Sequence, residues 1–365
     1  MQTSSRRSAD NDWRTLLTTS QPGPRQAALR WLLRLASGPY AVAVALRNAS
    51  YSRGWLSASR ARLPVISVGN LSVGGTGKSP MVAWLARWLR QRHLRVAVLS
   101  RGYGALESGR NDEALEFELL FPDVPHLQHP DRRASAELAA DELEMQILLL
   151  DDGFQHRQLS RDLDIVLLDA TLPTAAAWLL PGGLMREPLS SLARAAVVVL
   201  TRVSQALPSR LEDLQQQVQR LAPQAALVLA DHQPSGLWQA PDQRRPLPEL
   251  RGKKVLAMCA IGNPESFFCT LKEQGAEVLD HRSWPDHHAF TAADMQHLQA
   301  WRELHAEAQW IVCTMKDWVK LQVADIGGLP LIALQIEMRI VAGQAELERR
   351  LEELIQHIEA TDDRQ

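Results

Sequence analysis

Residues 74–79 read GGTGKS, between the β-rich run VISV at 65–68 and the helical pattern KSPMVAWLARWLRQ beginning at Lys78. Glycines at a strand-to-helix turn let backbone N–H groups and a helix N-terminus surround phosphate oxygens. Ser72, Val73, Gly74, Gly75, Thr76, Gly77, Lys78 and Ser79 are therefore the candidate phosphate-binding residues. Lys78 is placed to reach the β- and γ-phosphates, and the Ser79 hydroxyl to bind Mg²⁺. A lysine at a buried helix start needs an anionic partner, which disfavours a glycine turn that merely closes a βα unit. The loop is unusual in one respect: Ser72 stands where the common pattern has its first glycine.

A nucleotide loop needs an acidic residue at a strand end for the Mg²⁺ shell, and QILLLDDGFQH supplies Asp151 and Asp152 after an aliphatic run. Two adjacent carboxylates are costly without a cation nearby. A guanine-reading N/T-K-x-D motif is absent. Its nearest relative, TMKDW at 314–318, has Lys316 directly beside Asp317, so ATP is the expected nucleotide. No serine or cysteine nucleophile with a base stands out, which favours direct in-line phosphoryl transfer.

These groups require a scaffold of buried strands. From Pro64 onward, apolar runs such as RVAVLSR, LDIVLLDA, AAVVVLTR, KKVLAMCAIG, QWIVCT and PLIALQI alternate with helical stretches. That pattern predicts an α/β fold with a mainly parallel sheet and helices on both faces. The Pro-, Gln- and Arg-rich stretch at 231–254 reads as a linker. The expected organisation is a disordered segment over 1–22, an amphipathic helical segment over 23–60, a phosphate-loop domain over 61–240, and a smaller α/β domain over 241–365 carrying a C-terminal helix. In the loop-following helix, Trp84 and Trp88 read as a core-facing stripe.

The chain has 365 residues and a net charge of −2, which gives no reason to expect nucleic acid as a partner. The charge is uneven. Residues 1–62 hold ten Arg and no Lys against Asp10 and Asp12, a charge of +8, leaving −10 for the rest. Cys259, Cys269 and Cys313 are widely spaced, which suits a reducing compartment and argues against a zinc site. No secretory signal pattern is visible. The longest uncharged run of the head, residues 35–46, has 12 residues and includes Gly38-Pro39, short of the ~20 needed to cross a bilayer. Arg25, Arg30, Arg34, Arg47 and Arg53 beside Trp31, Leu32, Leu35 and Trp55 fit either a broken helix in a membrane interface or a helix packed on the body.

Together these motifs resemble the tetraacyldisaccharide 4'-kinases of lipid A biosynthesis. That family's loop also lacks the first glycine, as VGNLSVGGTGKSP does here. The resemblance continues through SRGYG at 100–104, DDGFQHRQLSRDLDIVLLDA at 151–170, PGGLMREP at 181–188, IGNPESFF at 261–268, PDHHAF at 285–290 and TMKDWVKL at 314–321. It implies transfer of the ATP γ-phosphoryl group, with Mg²⁺, to the 4'-hydroxyl of an acylated glucosamine disaccharide 1-phosphate. It also implies a peripheral location at the cytoplasmic face of the bacterial inner membrane, favouring the interfacial reading of the head. The family's G-D-E aspartate corresponds to Asp112, which would take the 4'-hydroxyl proton. His287, with His288 as its rival, would support Asp112 from the second domain across a cleft. His156, Arg101, Tyr103, Arg132 and Arg186 are candidates for phosphate or substrate contacts. The alternative function, a nucleotide-hydrolysing regulatory switch, is disfavoured by the missing guanine motif and by PDHHAF.

Overall fold

A computed structural model describes residues 16–19, 22–102, 111–240 and 243–362. The chain divides into two compact units. The first comprises Met1–Arg101, Val124–His232 and Met338–Gln365, and the second Gly102–Asp123 and Gln233–Glu337.

The first unit is built on strands β1 (Val65–Asn70), β2 (Val96–Ser100), β3 (His126–Gln128), β4 (Ile147–Asp151), β5 (Leu163–Asp169), β6 (Val197–Thr201) and the first part of β7 (Ala226–Gln239), in the order β7-β6-β5-β1-β4-β2-β3. Every pairing along this path up to the β6–β7 ladder is parallel. The strands are short and aliphatic, and all six residues of β1 are buried, as expected for a sheet covered on both sides. Helices α1 (Pro24–Ser52), α2 (Lys78–Arg90), α4 (Arg132–Asp141) and α5 (Pro208–Leu221) belong to this unit, and α3 (Asp112–Leu120) to the second. One core gathers Leu148 and Leu150 of β4 with Ala136 and Ala139 of α4, and another gathers Val166 and Leu168 of β5 with Leu214 and Val218 of α5. In α2, Trp88 is buried and Trp84 half-buried.

The second unit has β9 (Lys254–Cys259) between β10 (Glu277–Ser283) and β11 (Trp310–Thr314), with β11 pairing in parallel to β13 (Leu329–Ala342) and the short β12 (Asp325–Ile326) pairing antiparallel to the start of β13. Alternate residues of β9 serve opposite faces: Leu256 and Met258 join one core, Val255, Ala257 and Cys259 the other. Its helices are α3 (Asp112–Leu120), α6 (Pro264–Glu273), α7 (Ala292–Glu303) and α8 (Met315–Leu321).

The structure departs from the expected organisation at four places. The stretch at 231–254 is no linker: β7 continues through it to Gln239 and turns back as β8 (Gln243–Arg245). Its Trp238 is buried and donates from Nε1 to Gln335 at 2.7 Å. The excursion between β2 and β3 supplies α3 to the second unit, so the unit containing the phosphate loop is not one continuous segment. The C-terminal helix α9 (Gln344–Asp362) belongs to the first unit, where Leu347 and Leu351 are buried and Glu352 pairs with Arg92 at 3.0 Å. Finally, Leu17, inside the segment expected to be disordered, is buried in a small cluster with Ala176 and Leu184.

The basic head forms one unbroken 29-residue helix, α1, that runs through Pro39. It is not a broken helix, and it ends at Ser52, short of residue 60. Its buried residues are polar: Arg30 donates to the carbonyls of Leu16 and Thr19, and Ser37 Oγ donates to Leu179 O and accepts from Gly182 N. Leu29, Trp31, Leu32, Leu35, Val42 and Leu46 are instead 47–62 % exposed.

Candidate active site

The phosphate loop is held from outside by two of its carbonyls and the Thr76 hydroxyl. Asn70, the last residue of β1, donates from Nδ2 to Thr76 Oγ1 at 2.8 Å. Thr201 Oγ1, at the end of β6, donates to Thr76 O at 3.0 Å, and Arg202 donates to Gly75 O at 2.7 Å. Because a trans peptide points its C=O and N–H in opposite directions, the Thr76 carbonyl facing Thr201 turns the Gly77 N–H away from the end of β6. Gly77 caps α2 at φ 94°, ψ 23°, in the left-handed region that favours glycine. Val73 N donates to Leu184 O and Arg186 N to Leu71 O, so the PGGLMREP segment lies along the start of the loop.

The acidic motif meets the loop through a close backbone approach. A Cβ at Gly69 would lie 2.5 Å from Phe154 Cβ and 2.7 Å from Phe154 N. The VGN and DDGF sequences are thus two sides of one contact. Asp151 ends β4 opposite Val68 of β1, and its Oδ1 accepts the Asp152 N–H at 2.9 Å. Asp152, at φ 50°, receives Arg186 Nη1 on both oxygens at 2.8 and 3.0 Å and has Lys78 Nζ at 3.5 Å. Burial alone would push the Asp152 carboxyl up, but the positive charges of Lys78 and Arg186 outweigh it and hold the carboxyl below its ordinary value.

Beside this triad, Arg132 is buried and lies 3.4 Å, from Nη1, to His156 Nδ1. Burial and then the charges of Arg132, Arg161 and Arg47 lower the His156 pKa to about 4, so the ring is neutral at physiological pH. Burial also lowers Arg132, while the nearby charges of Asp152 and Asp151 raise it. Arg101 is exposed. Tyr103 lies outside the described residues.

The second unit contains a buried carboxylate–imidazole pair. Asp112 is the first residue of α3; Asn111, not Asp112, caps that helix by accepting the Ala114 N–H. Asp112 is buried, and His287 Nδ1 lies 2.9 and 3.0 Å from its two oxygens. Both residues belong to the same unit, which corrects the expectation of a pair formed across two domains. His288 is occupied elsewhere, with Nε2 3.0 Å from Asp294 Oδ2. Burial pushes the Asp112 carboxyl up, but the His287 hydrogen bond and the charges of Lys316, His287 and Lys320 bring it below its usual value. The same hydrogen bond raises His287.

The TMKDWVKL segment packs around this pair. Lys316 Nζ reaches Glu113 Oε1 at 2.6 Å, Lys320 Nζ lies 3.0 Å from Asp317 and 3.9 Å from Asp112, and Asp317 accepts from Thr314 Oγ1 and Ala260 N. Sequence reasoning missed Lys316, Lys320, Thr201 and Arg202. Thr201 ends a buried strand and Arg202 follows it, as a nucleotide-site motif should, and TR at that position was the available signal.

A parallel sheet with a glycine-capped, lysine-bearing helix start facing a strand-end carboxylate pair defines a phosphate-loop nucleotide-binding protein. The profile of the family LpxK, Tetraacyldisaccharide-1-P 4'-kinase, matches residues 29–356, and the chain belongs to that family. The tetraacyldisaccharide 4'-kinase of Anaeromyxobacter dehalogenans strain 2CP-C is 40% identical over 351 residues, covering 91% of this chain and 92% of that protein. The one from Geobacter sulfurreducens is 35% identical, covering 94% and 98%. A crystal structure of LpxK from Aquifex aeolicus in complex with ATP superposes with a TM-score of 0.69 at 30% identity, covering 90% of this chain and 99% of that one.

Proposed function

We propose that this protein transfers the γ-phosphoryl group of ATP to the 4'-hydroxyl of tetraacyldisaccharide 1-phosphate, giving the 1,4'-bisphosphate lipid. The observation that carries the reading is the Asp112–His287 pair. It is a buried carboxylate, kept ionised and oriented, in a chain that also holds a phosphate loop. A hydrolytic switch needs no such acceptor for an alcohol proton.

Lys78 and the N–H groups of residues 74–79 hold the β- and γ-phosphates. Asp152 fixes Lys78 and Arg186 in place. The 4'-oxygen bonds to the γ-phosphorus as the bond to the β,γ-bridging oxygen breaks, ADP leaves with that electron pair, and Asp112 takes the hydroxyl proton. His287 orients Asp112. The Arg132–His156 pair and Arg101 are assigned to anionic oxygens of the nucleotide or the acceptor.

No group of three or more His, Cys, Asp or Glu among the described residues could hold a metal by itself. The oxygen donors at the start of α2 and the end of β4 fit Mg²⁺, which takes one or two carboxylates together with substrate phosphates. Ser79 and Asp151 would hold it, with Asp152 adjoining and committed to Lys78 and Arg186. When bound, the ion neutralises charge developing on the phosphate oxygens.

Helix α1 supplies the membrane interface. Among the described residues no helix is long and apolar enough to cross a membrane. An apolar outer stripe with arginines along it suits a helix lying in the headgroup region, on the cytoplasmic side where ATP is present.

The test is transfer of labelled γ-phosphate from ATP to tetraacyldisaccharide 1-phosphate. Acceptor-dependent incorporation at the 4'-position is expected. ATP hydrolysis that ignores the acceptor would overturn the proposal.

A further inference from the structure

His232 lies near the end of the parallel β6–β7 ladder, in which Thr201 is matched with Ala230, two residues before it. Thr201 and Arg202 hold the loop carbonyls at this same edge. The imidazole is laid against Gly77: a Cβ there would lie 2.2 Å from His232 Nε2, 2.9 Å from Cε1 and 3.3 Å from Met338 Cε. The glycine at the head of α2 is therefore required by the histidine as well as by its own backbone angles. Nε2 is buried and has no hydrogen-bond partner. A buried donor left unmade costs about 1–3 kcal/mol, so such an atom beside a phosphate loop is accounted for by a partner that arrives with the ligand.

The neighbouring groups are chemically informative. Arg202, the nearby cation, is committed to Asp169 and to Gly75 O. Asp231 accepts both the N–H and the Oγ–H of Ser204. Burial and then the Arg202 charge lower the His232 pKa to about 4, with Asp169 and Asp231 pulling weakly the other way. The ring is neutral, and with its proton on Nε2 it offers a donor beside Gly77 of the loop.

We propose that His232 is a positioning residue for the nucleotide, its Nε2–H donating to a phosphate oxygen of the chain held over Gly77. This rests on reading residues 74–79 as the ATP loop, and it adds a contact from β7, three strands away from β1, that no part of the glycine-rich motif supplies. Because the ring bears on the backbone of the loop, its second effect is to hold Gly77 at its left-handed angles while the phosphates are bound.

The experiment is calorimetric titration of the full chain with ATP and, separately, with inorganic tripolyphosphate, both with Mg²⁺. His232→Ala and His232→Phe should each bind both ligands about tenfold more weakly than the unaltered protein, the loss of one hydrogen bond to a charged group. His232→Gln, which keeps an N–H donor, should recover most of that loss. In turnover, KM for ATP should rise by more than kcat falls. If His232 only fills space, His232→Phe would bind like the unaltered protein and His232→Ala would show a lower melting temperature with unchanged affinity, and either result overturns the proposal. Weaker ATP binding with unchanged tripolyphosphate binding would overturn the assignment to the phosphates. Failure of the unaltered protein to bind ATP would overturn the kinase reading itself.

Discussion

His287 Nδ1 bridges both oxygens of Asp112, at 2.9 and 3.0 Å. The carboxylate is buried, while the imidazole that orients it is 55% exposed and stands at φ 58° in the left-handed region. Backbone strain at a non-glycine residue persists where the surroundings enforce it, and it gathers at functional sites.

Asp112→Ala and His287→Ala should each lower kcat, Asp112→Ala by ~100- to 10,000-fold, the usual value of a general base. The double variant should lose little more than the worse single one, because groups acting as a unit are not additive; multiplicative losses would show that they work apart. In His287→Ala the hydrogen bond that most lowers Asp112 is gone, so its carboxyl rises and the acid limb of kcat/KM should move to higher pH. Stability follows the same logic. The lowered Asp112 stabilises the fold above its ordinary 3.8 and loses that contribution as pH falls through its folded value. The raised His287 stabilises the fold below its ordinary 6.5 and loses that contribution as pH rises through its folded value. The unaltered protein should exceed His287→Ala in urea stability most between roughly pH 4 and 6.5.

Lys78→Ala should remove ~3 kcal/mol or more of transition-state stabilisation, read from kcat/KM, since a cation on the β- and γ-oxygens acts mainly as charge develops there. Arg186→Ala should cost less. It leaves Asp152 with Lys78 as partner and perturbs the lysine's position without removing its charge. Turnover near that of the unaltered protein in Lys78→Ala would sink the assignment of the loop.

The phosphate loop and the fold class were legible because both rest on local rules: aliphatic strands covered on two faces, and glycines where a strand turns into a helix. The organisation of the units was less legible. Asp112 enters the second unit through an excursion between two strands of the first, and α9 returns to the first although it follows β13 directly. Such placements depend on which apolar stripe finds which core, and Leu347 and Leu351 carry no mark of their destination. Lys316 looked like a displaced base-reading motif because spacing alone cannot show that its ammonium meets Glu113. His232 gave no signal at all, since its neighbour Gly77 is 155 positions away in the chain.

Glu116 should make stability fall as pH rises through neutrality. Burial above all, with the nearby charges of Glu113, Asp112 and Asp317, raises its pKa from 4.5 to about 7 despite the opposing charge of Lys316. Between those values the folded chain binds a proton that the unfolded chain has released, so stability declines with increasing pH over that range. Glu116→Gln should flatten the decline between pH 5 and 8 in urea unfolding. An unchanged slope would mean that Glu116 is ionised in the fold.

Helix α1 should bind membranes through its outer stripe and hold the protein together through its inner one. Trp31, Leu35, Val42 and Leu46 are spaced to fall along one side of the helix, and each is 56–62% exposed. A helix packed in the ordinary way would bury them; here Arg30 and Ser37 are buried instead. Replacing Trp31, Leu35 and Leu46 together by Glu should lower co-sedimentation with anionic vesicles at least tenfold, because apolar insertion is lost and negative charge is added to a surface attracted to anionic lipid. The melting temperature should hardly change, since exposed side chains contribute little to the fold. Arg30→Ala should do the reverse, lowering the melting temperature by freeing the Leu16 and Thr19 carbonyls while leaving vesicle binding nearly intact. Raising the salt should weaken binding by the unaltered protein, as screening removes the arginine contribution. Deleting residues 1–48 is the poorer experiment, because it also strips Leu17 from its buried cluster and Asn48 from Glu187. Vesicle binding by the triple Glu variant equal to that of the unaltered protein would show that the exposed stripe has some role other than membrane contact.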